Sequence, residues 1–106
     1  MAVLHLTESN FDETIAQGVT LVDFWATWCG PCRMLAPVIE QLAAQYDGRA
    51  KVAKVDIDAE AGLANRFGIM SIPTVLIFQD GTLQNQAVGV QPAAAYQKFL
   101  DEALMG

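Results

Sequence analysis

The sequence predicts an α/β fold: a central mixed five-stranded sheet flanked by four helices, in the order βαβαβαββα. Three observations predict it. Strand-like apolar runs alternate with segments of helical periodicity. The run Thr20-Leu21-Val22-Asp23-Phe24-Trp25-Ala26 is apolar on both alternating faces apart from one acid, as strands inside a parallel sheet are. Asp80-Gly81 separates two strand-like runs, a tight-hairpin signal that makes the end of the sheet antiparallel. With 106 residues, 53% of them hydrophobic, the chain is expected to form one domain, residues 1–106, with a single well-filled core.

Residues 3–6 (Val-Leu-His-Leu) are the first strand candidate, with His5 at the surface or rim of the sheet. Thr7 or Ser9 is placed to cap a helix running to about Gln17, with Asp12 and Glu13 in a first turn that favours acids. Phe11 and Ile15, four apart, form its inward stripe, and Gly18 stops it. The central strand, Thr20 to Ala26, leads into a second helix from Cys32 to Tyr46. Leu35, Val38, Ile39, Leu42 and Tyr46 face the sheet there, Arg33, Glu40 and Gln41 face away, and Pro37 removes one hydrogen bond and introduces a kink. A third strand spans 50–57, and a short helix spans Ala59 to Phe67 with Gly68 just beyond it. Thr74 to Gln79 and Thr82 to Val88 form the hairpin, and Gly89 marks a bulge or a close approach. Pro92 opens the last helix, whose inward face is Tyr96, Phe99, Leu100, Ala103 and Leu104.

The chemistry concentrates in Trp28-Cys29-Gly30-Pro31-Cys32, between the central strand and the second helix. These are the chain's two cysteines. A helix N-terminus presents unpaired N–H groups and a partial positive charge, which favour a thiolate, the reactive form of cysteine. Cys29, just outside the helix, is expected to be the exposed attacker. Cys32, one turn in, is expected to be more buried and to close the small ring that resolves a mixed disulfide. Pro31 is tolerated in the first turn, and Gly30 permits a tight turn and the approach of another backbone. Two blander readings stand beside this one. A structural bridge over so short a loop gains little, and a zinc site would need ligands beyond two cysteines and the lone His5.

Asp23 is the anomaly of the central strand. Buried and ionised it would be costly, so its pKa should rise unless it is paired. It is either satisfied by backbone N–H groups or serves Cys32 as a general acid or base. Lys54, in the middle of the third strand, is either its cross-strand partner or a stem reaching solvent. The net charge of −6 argues against nucleic acid or an anionic membrane as a partner. The first residues lack a basic segment and a long apolar run, and no stretch reaches the ~18 apolar residues of a membrane span. A reducing, cytoplasmic setting is therefore expected, in which a C-x-x-C pair is catalytic rather than structural.

Trp28-Cys29-Gly30-Pro31-Cys32 after Val22-Asp23-Phe24-Trp25-Ala26, with Ile72-Pro73-Thr74 further on, resembles the thioredoxin family, over essentially the whole chain. The resemblance implies the thioredoxin fold and a monomeric protein-disulfide reductase that works by dithiol–disulfide exchange. It implies no bound cofactor or metal beyond a reversible Cys29–Cys32 disulfide. A thioredoxin reductase would recharge it with electrons from NADPH or ferredoxin, and disulfide-containing proteins would be its substrates. Cys29 resembles the nucleophile, Cys32 the resolving thiol, and Asp23 the buried proton-transfer acid with Lys54 its neighbour. Ile72-Pro73 resembles a cis-proline facing the thiols, where an extended substrate pairs with the Ile72 backbone. Trp28, Gly30, Pro31, Ile57, Ile72, Pro73, Val88, Gly89 and Val90 would line the docking surface. Gly-Pro between the cysteines matches reducing members. The competing readings are a binding module with incidental cysteines and an oxidase or isomerase of an oxidising compartment.

Overall fold

The computed structural model describes residues 2–106. Its elements are β1 (Leu4–His5), α1 (Phe11–Ile15), β2 (Val19–Trp25), α2 (Gly30–Gln45), β3 (Ala50–Asp56), α3 (Ala61–Arg66), β4 (Thr74–Gln79), β5 (Thr82–Val88) and α4 (Ala93–Met105). The five strands form one sheet in the order β1-β3-β2-β4-β5. β3 runs parallel to both β1 and β2, whereas β4 is antiparallel to β2 and to β5. The sheet is therefore mixed and β2 lies at its centre, as its unbroken apolarity requires.

Alternation along the strands sends side chains to two cores. Val19, Leu21, Val52, Val75 and Ile77 pack under Leu35, Ile39 and Leu42 of α2, its C-cap residue Tyr46, and Tyr96 and Leu100 of α4. Val22, Phe24, Val55, Leu76 and Phe78 pack against Phe11 and Ile15 of α1 and Leu63 of α3. In this second core Phe67 lies 5.3 Å from Phe11, 6.1 Å from Phe24 and 5.5 Å from Phe78 between ring centroids. Tilted and edge-on pairs of this kind add about 0.5–1.5 kcal/mol each beyond their burial. One helix pair thus covers each face, and the C-terminal end of β2 is left open to the loops.

The elements differ from expectation mainly at their ends. α1 is shorter than the pattern through Gln17: Asn10 is its N-cap residue, and the Asn10 Oδ1 accepts the Thr7 N–H at 2.7 Å in a turn ahead of the helix. Neither Thr7 nor Ser9 caps it; their hydroxyls pair with each other at 2.9 Å. α2 begins earlier than Cys32, at Gly30, and runs unbroken through the exposed Pro37. β1 is reduced to two residues, and His5 is exposed at the sheet edge. α3 ends in the paired bonds of a Schellman motif, Ile69 N–H to Ala64 O at 2.9 Å and Gly68 N–H to Asn65 O at 3.1 Å, with Gly68 at φ 62°.

Two expectations are corrected. Leu104 does not face the core; it is 37% exposed, on the outer side of α4. Gly89 is not a bulge within β5. The register shift falls between Ile77 and Phe78, where their partners are Asn85 and Leu83 and Gln84 is the extra residue. Gly89 instead ends the strand at φ 82° and donates its N–H to Pro73 O at 2.8 Å.

Thr20 carries a polar atom into this packing at a loss. Its Oγ1 is buried and has no hydrogen-bond partner. A buried hydroxyl without a partner costs about 1–3 kcal/mol, and valine has nearly the same shape. Thr20→Val is expected to raise stability by about 1 kcal/mol, read as a higher urea midpoint at unchanged slope.

Candidate active site

At the end of β2 the chain turns through Ala26-Thr27-Trp28 and enters α2 with Cys29 as its N-cap residue. The Cys29 Sγ accepts the Cys32 N–H at 3.2 Å, so a sulfur occupies the place that a serine or aspartate oxygen takes at other helix starts. Cys29 and Cys32 are joined in a disulfide, with their Cα atoms 5.3 Å apart. Any thiolate formed here sits in the positive field of a sixteen-residue helix. Thr27 O accepts Arg33 Nη1 at 3.0 Å, and Cys29 N–H reaches back to Ala26 O at 3.2 Å, which holds the turn in place.

The expected contrast in exposure between the two cysteines is absent. Cys29 is 4% exposed and Cys32 3%, because Trp25, Ile57 and Ile72 pack around both and around Ala26. What distinguishes them is their bonding. Cys29 Sγ takes the cap bond and lies 3.9 Å from Ile72 O, a contact that becomes a hydrogen bond when the sulfur carries a proton. Gly30 is also not where a left-handed turn requires glycine. Its backbone is helical, and an added Cβ would meet only the Arg33 guanidinium at 3.8 Å. Among the described residues no group of three or more metal-ligating side chains exists, and both cysteines are committed to the disulfide.

Asp23 is fully buried on the α2–α4 face, and neither carboxylate oxygen has a hydrogen-bond partner. Satisfaction by backbone N–H groups is therefore ruled out. Burial pushes the carboxyl up to about 7, with the charge of Lys54 pulling the other way. Lys54 is the register partner of Asp23 on β3, as expected, but it forms no ion pair with it. Its Nζ lies 4.7 Å from the centre of the Trp25 ring instead, a cation–π contact beside the acid.

The remaining predicted residues converge from four loops. Ile72-Pro73 is a cis peptide, and its Ile72 packs on the disulfide together with Ile57, which is tied by its N–H to Trp25 O at 2.9 Å. Trp28 is 64% exposed, and Val88 and Val90 are exposed beside Gly89. Three residues to which the sequence reading gave no part in this site hold this surface. Asp58 Oδ2 accepts the Trp28 indole N–H at 2.8 Å. Asp56 Oδ1 accepts the N–H of Asp58 at 2.9 Å and shapes the turn that presents it. Tyr96, read as core alone, accepts the Gln91 N–H at 3.0 Å and donates to Gly89 O at 3.4 Å, which anchors the Gly89-Val90 loop to α4. Burial raises its own pKa, the Gln91 bond opposes this, and the charge of Asp23 adds to it. Apart from a carboxylate after a strand, no sequence pattern signals Asp58, since its partner lies thirty positions away.

Comparison with known proteins agrees with this geometry. The thioredoxin family profile matches residues 2–102. The chain belongs to the thioredoxin family. It is 52% identical to a thioredoxin of Staphylococcus haemolyticus over 104 residues, which is 98% of this chain and 100% of the relative. It is 49% identical to a thioredoxin of Staphylococcus saprophyticus and 47% identical to one of Staphylococcus aureus over the same shares. As a family member it is a thiol–disulfide oxidoreductase, and its reversible Cys29–Cys32 disulfide carries the electrons. Members of the family work between a reductase and disulfide-bearing proteins. Among the described residues no helix is long and apolar enough to cross a membrane.

The pKa of Asp23 has a consequence for stability. Its carboxyl titrates near 7 in the fold and near 3.8 when exposed, so between these values the folded chain holds more protons than the unfolded one. Stability therefore falls as pH rises from about 4 to about 7 and stays low above that. Asp23→Ala removes this dependence. Its effect on stability should be more favourable at pH 8 than at pH 4 by up to about 4 kcal/mol, measured by urea unfolding of the disulfide form. A separate expectation concerns Asp58. Asp58→Ala frees the Trp28 ring, seen as altered indole fluorescence with a shift of roughly twofold in exchange rate, whereas Asp58→Asn keeps an acceptor and the parent spectrum.

Proposed function

We propose that this thioredoxin reduces protein disulfides in two steps, with each site residue in a defined role. Cys29 thiolate attacks one sulfur of a substrate disulfide. A Cys29–substrate disulfide forms, the substrate S–S bond breaks, and the second substrate sulfur leaves as a thiolate. Cys32, deprotonated by Asp23, then attacks Cys29 Sγ. This closes the disulfide seen in the structure and releases the first substrate sulfur as a thiolate, so two electrons have passed to the substrate. Lys54 offsets the charge on Asp23 while the carboxylate is ionised.

Trp28, Gly30, Pro31, Ile57, Ile72, Pro73, Val88, Gly89 and Val90 form the docking surface, with the Ile72 backbone pairing to an extended substrate. A thioredoxin reductase, drawing on NADPH or ferredoxin, returns the pair to the dithiol. The chain acts as one domain and as a monomer, in a reducing, cytoplasmic compartment where such a pair is kept in use. The observation that carries this reading is the Cys29 sulfur at the cap of α2, bonded to the Cys32 N–H and facing Ile72 O.

The test separates the two sulfurs. With dithiothreitol and insulin, Cys29→Ser should lose essentially all disulfide reduction. Cys32→Ser should instead accumulate a covalent complex with substrate, visible on a non-reducing gel and dissolved by reductant. Retained reduction by Cys29→Ser would overturn the assignment. Asp23→Asn should slow the second step and remove an inflection near pH 7 from the pH–rate profile, in line with the carboxyl that titrates at about 7.

A further inference from the structure

The docking surface runs past its expected edge. Met70 precedes the Ser71-Ile72-Pro73 turn and is 95% exposed, the most exposed large hydrophobic side chain among the described residues. The backbone N–H groups of Met70, Ser71 and Ile72 donate no hydrogen bond among the described residues, and Ile72 O faces only Cys29 Sγ at 3.9 Å. Ser71 O is taken by the Thr74 hydroxyl at 2.6 Å, so the segment offers its free N–H groups and the Ile72 carbonyl beside the disulfide. An extended chain laid along it places alternate side chains on one side. Beside this edge, and lined in part by Met70 and Ser71 themselves, lies a depression of about 150 Å³. Phe67, Ile69, Met70, Thr74, Gln86 and Val88 line it, and no charged side chain does. At ~30 Å³ per water this holds about five waters, room for one branched aliphatic group.

We propose that this depression is a specificity subsite for an uncharged aliphatic side chain of the substrate, two residues from the cysteine that Cys29 engages, with Met70 as its adaptable wall. The inference rests on the docking reading above and adds to it a preferred class of substrate. Four features favour this occupant over a charged or folded partner: the uncharged lining, the free N–H groups of the adjoining segment, the shared Val88, and a flexible thioether able to follow differently shaped aliphatic groups.

Three peptides test it, each with a single cysteine joined in a disulfide to a chromophoric arylthiol. The arylthiol is the better leaving group, so Cys29 engages the peptide sulfur. One peptide carries alanine at both second-neighbour positions, and the others carry leucine at one or the other. Arylthiol release by the reduced protein, freed of dithiothreitol, is followed at rising peptide concentration. One leucine peptide should react with about fivefold higher efficiency than the alanine peptide, through a lower half-saturating concentration at an unchanged plateau rate. Met70→Glu, at a fully exposed position, should cut that ratio below about twofold, and Met70→Leu should keep it. Equal reaction of all three peptides with the parent protein, or a preference that survives Met70→Glu, overturns the subsite. Failure of the dithiol reading looks different: none of the peptides would react faster with the parent than with Cys29→Ser, and the subsite would fall with the reaction it serves.

Discussion

A sulfur that caps a helix is the contact on which the rest of this molecule depends. Cys29 Sγ accepts the N–H of Cys32, and the same two residues form the disulfide. The helix start therefore lacks the hard oxygen that usually satisfies it and holds a polarisable, oxidisable atom in its place. For the N–H groups of α2 to point at that atom, α2 must be fixed against the sheet by Leu35, Ile39 and Leu42, and β2 must end at Trp25. Burial of the central strand and placement of the chemistry are thus one constraint.

Asp23 shows what the site costs. A carboxylate with no hydrogen-bond partner in the middle of a sheet works against folding, and only Lys54 offsets its charge. Lys54 itself is divided between the acid and the face of Trp25. The outcome is an acid pushed up to about 7, which suits the proton transfer proposed for it. Thr20, likewise buried and unpaired on the other face, lies away from the cysteines and has no role in the proposal, so an orphaned polar atom alone does not mark function.

The surface proposed for docking is a different kind of construction. It consists of the ends of loops held by a few polar contacts: Asp58 on Trp28, Gly89 on Pro73, Tyr96 on the Gly89-Gln91 turn. Each contact joins residues far apart in the chain, apart from those of Tyr96. Such contacts steer exposed apolar groups without burying them, which leaves the surface open to partners.

The order of elements, the central place of β2, the Asp80-Gly81 hairpin and the two cysteines at a helix start were all determined by the sequence. Period, turn chemistry and residue spacing are local properties, legible within a window of a dozen residues. Local signals also misled: the apolar Leu104 continued a helical stripe at a position that no neighbouring element covers, and Gly89 carried a glycine's freedom without saying where the bulge lay. Tertiary structure alone decided that Asp23 is unpartnered, that Lys54 turns to Trp25, that Asp58 holds Trp28, and that Cys29 and Cys32 are almost equally covered. Each of these depends on which strands and loops lie side by side and on how deep water reaches, and neither quantity is carried by any single stretch of residues.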